Sequence, residues 1–237
     1  MAPDSRVILT RHAQAEHNVG LDYSIPDAPL TPLGKKQAAA LAPQVDKLAQ
    51  EVDLVVSSPL QRTLQTTALG WKAAIDRLGG FKKVVCLPQA QECNAHPCDT
   101  GSSRAELEAN PEFAVFDLSQ LPADWTSKKG FWAADSAALT NRARWVRQWL
   151  RERPEKTIVL VAHGDVLRRI TASSTGPSTY QWRNAEAREF VFDPKTVDDD
   201  ECFLIQEEDI AVAGGYAITS TEMDLAIENG NAVRSAI

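Results

Sequence analysis

Two arginines and two histidines stand where strands of this chain should end. Arg11-His12 follows the apolar run Val7-Ile8-Leu9, and Ser58-Pro59-Leu60-Gln61-Arg62 follows Leu54-Val55-Val56. His163-Gly164 follows Thr157-Ile158-Val159-Leu160-Val161-Ala162. In open α/β sheets ligands bind beyond the carboxyl ends of the strands. Each guanidinium offers a planar fork of donors that matches phosphate oxygens. The histidines offer one nucleophile and one further hydrogen-bond donor. Phosphoryl transfer needs mainly positioning and charge neutralisation, so the set is chemically sufficient with no metal and no cofactor. Singly, each piece has a plainer explanation: a surface turn, a solvated helix residue, a satisfied histidine. Their convergence at three strand ends is harder to dismiss.

The elements that must hold these residues follow from the pattern of apolar runs. Short buried runs alternate with helical spacing, the signature of a parallel-sheet α/β domain. Thr31-Pro32 reads as an N-cap with proline at the first helical position, leading a helix through Leu33, Leu41, Val45 and Leu48 that Pro43 should kink. Ser58-Pro59 starts a second helix running towards Ile75, and Val84–Leu87 reads as a third strand. Periodicity fades from Gln89 to Asp135. Leu139, Ala143, Val146 and Leu150 then form a helical stripe opposite Arg142, Arg144, Arg147 and Arg151, and Trp145 and Trp149, one turn apart, read as core. Asp165–Ser173 reads as a short helix and Phe190-Val191-Phe192 as a late strand. The expected domain is residues 1–192, with an insertion at about 93–135 covering the site.

Composition narrows the class. The chain has 237 residues, 43% hydrophobic and 24% charged, which suits a folded globular protein. The net charge of −7 argues against nucleic acid as a partner. No apolar run approaches the roughly 18 residues of a membrane span, and Met1–Arg6 lacks the layout of a secretory signal. Four cysteines in a chain of this length make no disulfide framework. The expected location is therefore cytosolic or nuclear. Eleven acids and two bases lie between Asp193 and Ile237, a balance of −9, which leaves +2 for residues 1–192. The 193–237 stretch reads as an acidic extension, solvated and partly disordered.

The motifs together resemble the histidine phosphatase superfamily, in its phosphoglycerate-mutase-like branch. They are Leu9-Thr10-Arg11-His12-Ala13 with Asn18, Leu30-Thr31-Pro32-Leu33-Gly34 with Gln37-Ala38, Ser57–Thr63 with Gln65-Thr66, and Val161-Ala162-His163-Gly164. The resemblance implies a three-layer α/β sandwich, its mainly parallel sheet flanked by helices. It implies that His12 accepts the phosphoryl group and that Arg11, Arg62 and His163 hold its oxygens, with Asn18 and Gly164 as further contacts. A carboxylic acid soon after the third strand should protonate the leaving oxygen, and Glu92 stands there. In the acid-phosphatase and phytase branch the acid is an Asp directly after the second histidine. Here Gly164 intervenes and the Arg-His-Gly-x-Arg-x-Pro start is absent, so Glu92 is preferred and Asp165 reads as a helix-start residue. Ala13 replaces a usual Gly. Ala15 replaces a frequent Ser or Thr, and Ser24 stands near enough to serve in its place.

The implied activity is metal-independent hydrolysis of a small phosphorylated metabolite through phosphohistidine. Arg104, Lys128, Lys129 and Trp132, with Trp125 and Phe131, are candidate substrate contacts in the insertion. Cys93-Asn94-Ala95-His96-Pro97-Cys98 lacks a second ligand pair, so no metal site is expected. The alternatives are a phosphoglycerate-type mutase and a non-catalytic interaction domain. A mutase of this branch grips a carboxylate with a basic segment, and Cys93–Asp135 carries three bases only. A pure binding module has no need of a nucleophile. Neither the substrate nor the oligomeric state is legible in the sequence.

Overall fold

The short apolar runs become strands of one sheet. In the computed structural model, which describes residues 4–228, β1 (Arg6–Arg11), β2 (Leu54–Ser57), β3 (Val85–Cys86), β4 (Thr157–Ala162), β5 (Glu186–Phe192) and β6 (Leu204–Val212) lie in the order β3-β2-β4-β1-β5-β6. The first four of that order are mutually parallel, and β5 runs antiparallel to both β1 and β6. The α/β class with a mostly parallel sheet is as expected.

Alternation along the central strands divides the core in two. Val7, Leu9, Val56, Ile158 and Leu160 face one side, Ile8, Val55, Val159 and Val161 the other. The first face is covered by α7 (Ser136–Arg151) and α8 (Gly164–Ile170). The second is covered by α2 (Pro32–Leu41), α3 (Asp46–Ala49), α4 (Gln61–Gly70) and α5 (Lys72–Arg77). α1 (Glu16–Val19) follows the first strand, α6 (Arg104–Ala109) lies in the insertion, and α9 (Ser220–Glu228) ends the described chain.

Local chemistry sets these helices. The Thr31 hydroxyl accepts from the Gly34 amide at 2.8 Å, capping α2 behind Pro32. The helix stops at Leu41, tightens over Ala42–Gln44 around Pro43 and resumes as α3, because proline supplies no amide and crowds the preceding turn. On α7 the apolar stripe is buried as expected, but two of the four arginines set opposite it are buried too. Arg142 donates to the carbonyls of Gln91 and Glu92, and Arg147 pairs with Glu201. The tryptophans Trp145 and Trp149 are half-buried at the core's edge.

The segment after Asp193 departs from expectation. As far as Glu228 it is no solvated appendage: β6 pairs with β5 from Leu204 to Val212, and α9 folds back over the carboxyl ends of the strands, while residues 229–237 of that stretch lie outside the described residues. Its buried apolar anchors, Cys202, Leu204, Ala211 and Met223, are outnumbered three to one by charged residues, which is why composition alone points the wrong way.

Candidate active site

Parallel pairing in register builds the centre of the site. Arg11 sits opposite Ala162 in the β1–β4 ladder, and the His12 amide donates to the Ala162 carbonyl at 3.0 Å. His12 and His163, each one residue beyond that pair, therefore emerge side by side with ring centroids 5.2 Å apart. Ser57 pairs with Val161, so Ser58 follows alongside and its Oγ meets His163 Nε2 at 2.8 Å. Arg62, in the first turn of α4, reaches across with its Nε 3.3 Å from His12 Nε2.

The tautomer of His12 follows from its neighbours. Its Nδ1 lies 2.7 Å from the Ala13 carbonyl, which can only accept, so Nδ1 carries the proton. Nε2 is left with a lone pair aimed towards Arg62. Arg11, His12, Arg62 and His163 are all buried, at most 1% exposed. Burial first, then the charges of Arg62 and Arg11, hold the His12 pKa well below its ordinary value. His163 is held neutral by burial and Arg62 in the same way. An unprotonated imidazole under the charge of two guanidiniums has the chemistry a nucleophile needs, with electrostatic partners already in place.

Arg62 is itself oriented. Its Nη1 donates to the Cys98 carbonyl at 2.6 Å, and its Nη2 meets Asp99 Oδ1 at 3.1 Å. Arg11 donates to the Trp182 carbonyl, and Asn184 donates to the His12 carbonyl at 3.2 Å. The Trp182–Glu186 stretch thus holds the back of the site. Gly164 allows a close approach: a Cβ there would lie 2.7 Å from the Thr219 methyl and 3.4 Å from Arg11 Nε.

Two carboxyls stand at the start of α8. Glu92 accepts from the amides of Val166 (3.0 Å), Cys93 (3.0 Å) and Asp165 (3.3 Å). Burial, with Asp99 nearby, raises its pKa. Asp165 is raised to about 6 by burial and by Glu92, although Thr219 and Arg168 donate to its Oδ1. A buried carboxyl with a raised pKa is suited to proton transfer near neutrality. Asp165 does stand in the first turn of α8, and it is also part of this buried pair.

Residues 7–195 match the family model of the histidine phosphatase superfamily, branch 1. The chain belongs to that superfamily. Among its relatives, a probable phosphatase of Schizosaccharomyces pombe is 28% identical over 165 residues, spanning 68% of this chain and 74% of the relative. A phosphoglycerate mutase-like protein of Arabidopsis thaliana is 29% identical over 198 residues, 68% of each chain. Among solved structures, a phosphoserine phosphatase variant of Entamoeba histolytica bound to phosphoserine superposes with a TM-score of 0.56 at 23% identity, covering 87% of this chain and 97% of that one. The mycobacterial glucosyl-3-phosphoglycerate phosphatase gives 0.52 at 22%, covering 88% and 100%. Superfamily membership and a phosphatase-named relative support a phosphoric monoester hydrolase. Among the described residues no helix is long and apolar enough to cross a membrane.

Within this superfamily fold, the expected contacts divide. Asn18 is placed by α1, its Oδ1 accepting from the Ala15 amide at 3.0 Å and its Nδ2 buried with no partner among the described residues. Ser24 does not face the site: it is exposed and its hydroxyl is given to Asp22, while its neighbour Tyr23 stacks towards His17. Arg104 is drawn away to Glu108 at 2.7 Å and the Ser119 carbonyl at 3.1 Å. Lys129 is exposed. Trp132 and Trp125 are core residues, because the insertion needs apolar mass to seat itself on the second face. Of the insertion's three bases Lys128 alone reaches the site, its Nζ 3.2 Å from the Glu92 carbonyl and its pKa lowered by burial to about 8.

Several residues escaped the sequence reading. His17, Ser58, Asp99 and the hydroxyls of Thr219 and Ser220 all belong to the site. His17 carried a signal, since it lies beside Asn18 within the first motif. Ser220, which donates to Asp99, lies 121 positions from it in sequence, and no local pattern marks such a pairing.

Proposed function

We propose that this chain hydrolyses a small phosphate monoester without a metal, through a phosphohistidine at His12. The observation that carries the reading is the His12 tautomer: Nδ1 is committed to the Ala13 carbonyl, and the Nε2 lone pair faces the Arg62 guanidinium. Nε2 attacks phosphorus, and the ester oxygen departs with a proton from Glu92. Glu92, now a carboxylate, takes a proton from water as that water attacks phospho-His12 and releases inorganic phosphate. Arg11, Arg62 and His163 neutralise the phosphoryl oxygens throughout.

Hydrolysis is favoured over transfer to a second acceptor by the position of the bases. A mutase must anchor the far end of its ligand while the enzyme is phosphorylated. Arg104 is paired elsewhere and Lys129 points to solvent, which leaves Lys128 as the insertion's single cation at the site. A phosphorylated hydroxy or amino acid, the kind of compound bound by the phosphoserine phosphatase, fits one such cation.

The test is a rapid quench at alkaline pH with labelled substrate, followed by peptide mapping. Label on His12, lost in His12→Ala together with turnover, supports the mechanism. Undiminished turnover in His12→Ala ends it. Phosphoryl migration outpacing phosphate release with 3-phosphoglycerate would favour the mutase instead.

A further inference from the structure

His17 has no task in the mechanism above, yet it is built into the site. It is 5% exposed, its ring centroid lies 6.0 Å from that of His12, and its Nδ1 is buried without a hydrogen-bond partner among the described residues. The ring is held from another direction by Tyr23 at 6.1 Å, which packs in turn on His96 at 5.6 Å. Burial and the charges of Arg62 and Arg11 push its pKa down to about 2, so it is a neutral imidazole with one N–H to give.

Buried polar atoms in folded proteins are nearly always paired. Four side chains near the ends of β1 and β4 are among those that break the rule: Arg11 Nε, His17 Nδ1, Asn18 Nδ2 and His163 Nδ1. The arginine and asparagine atoms can only donate, and each imidazole nitrogen donates in one tautomer. An occupant whose atoms only accept answers all four, and a tetrahedral oxyanion is such a group.

We propose that His17 is a catalytic residue, donating an Nδ1–H hydrogen bond to an oxygen of the phosphoryl group carried between His12 and the two arginines. The inference rests on the reading that this site receives a phosphoryl group. His17 and His12 make no hydrogen bond with each other, and an oxygen borne on His12 Nε2 comes within reach of the neighbouring ring. His17 remains a donor in both half-reactions and exchanges no proton with substrate or water.

The test uses the full chain in chelator, with tungstate binding by calorimetry and hydrolysis of an aryl phosphate as paired readouts. His17→Phe keeps an aromatic ring against Tyr23 and removes both nitrogens, whereas His17→Gln keeps a donor and removes the ring. Loss of a hydrogen bond to a charged group lowers affinity by about tenfold to a hundredfold. That loss is expected for tungstate and for kcat/KM in His17→Phe, with His17→Gln staying within about threefold of the wild type. The reverse order, Phe retaining binding and Gln losing it, shows a packing role and overturns the proposal. Should His17→Phe fail to fold, a tenfold loss in His17→Gln overturns it alone. Trapping of label on His12 is a separate readout. Its absence refutes the phosphohistidine reading without touching the tungstate comparison, and a failed tungstate comparison leaves the label standing.

Discussion

Arg62 Nε donates to His12 Nε2 across 3.3 Å, so the lone pair of the proposed nucleophile is already pointed at the cation proposed to meet the phosphoryl group. The same guanidinium is tied to the Cys98 carbonyl and to Asp99, which leaves it little freedom to turn. A planar fork serves three directions at once, and a lysine cannot.

Arg62→Lys is therefore expected to lower kcat by about a hundredfold to a thousandfold, the effect of losing one preorganised donor to a transition-state oxyanion. Activity of the wild type should persist in EDTA, because guanidinium charge supplies the neutralisation. Steady-state assays with and without chelator check both. Activity lost to EDTA and restored by zinc or magnesium would show that a metal ion, and not guanidinium charge, neutralises the phosphoryl group.

The carboxyl pair can be separated by leaving group. Glu92→Gln should slow alkyl phosphates about a hundredfold or more, while an aryl phosphate, whose leaving oxygen hardly needs a proton, loses far less. Asp165→Asn should slow both substrates by similar, smaller factors. If Asp165→Asn shows the steeper dependence on leaving group, the acid is Asp165.

Stability should fall with acid in a way that counts buried histidines. His12, His17 and His163 are neutral when folded because their pKa values lie below the ordinary 6.5, whereas the unfolded chain protonates them. Their contribution is intact above pH 6.5 and is lost as pH falls, about 1.4 kcal/mol per pH unit for each. Asp165, raised to about 6, and Glu92, also raised, act oppositely: the folded state holds their protons more tightly, so they offset part of the loss below pH 6. Urea unfolding of His17→Gln between pH 6.5 and 5 should show a mean slope shallower than wild type by about 1 kcal/mol per unit, since the unfolded histidine is only half protonated at pH 6.5. An unchanged slope would mean that His17 is protonated in the folded protein.

The carboxyl-terminal segment should matter to binding. Ser220 Oγ donates to Asp99 Oδ2 while Arg62 holds Oδ1. Removing that hydroxyl leaves Asp99 a freer acceptor that draws Arg62 more strongly. Ser220→Ala is expected to raise KM several-fold, change kcat less, and cost about 1 kcal/mol of stability. Kinetics and thermal melts on the full chain check it; unchanged KM with unchanged stability would show that the contact carries no weight.

What the sequence determined by itself was the material of the reaction and its frame. Buried apolar runs announced β1, β2 and β4, and the residues just beyond them, His12, Arg62 and His163, needed only parallel pairing in register to meet. Strand ends and their motifs are local, so local patterns reveal them. Tertiary structure decided what sits around that centre. It turned Arg104 to Glu108, Ser24 to Asp22 and Trp132 into the core, and it brought Asp99 and Ser220 together from 121 positions apart. Those choices depend on which distant partner satisfies a buried group. Residues 193–228 show the reason most clearly: their acidity describes the face they show to water, while the few apolar residues of β6 and the hydroxyls at the start of α9 settle where they dock.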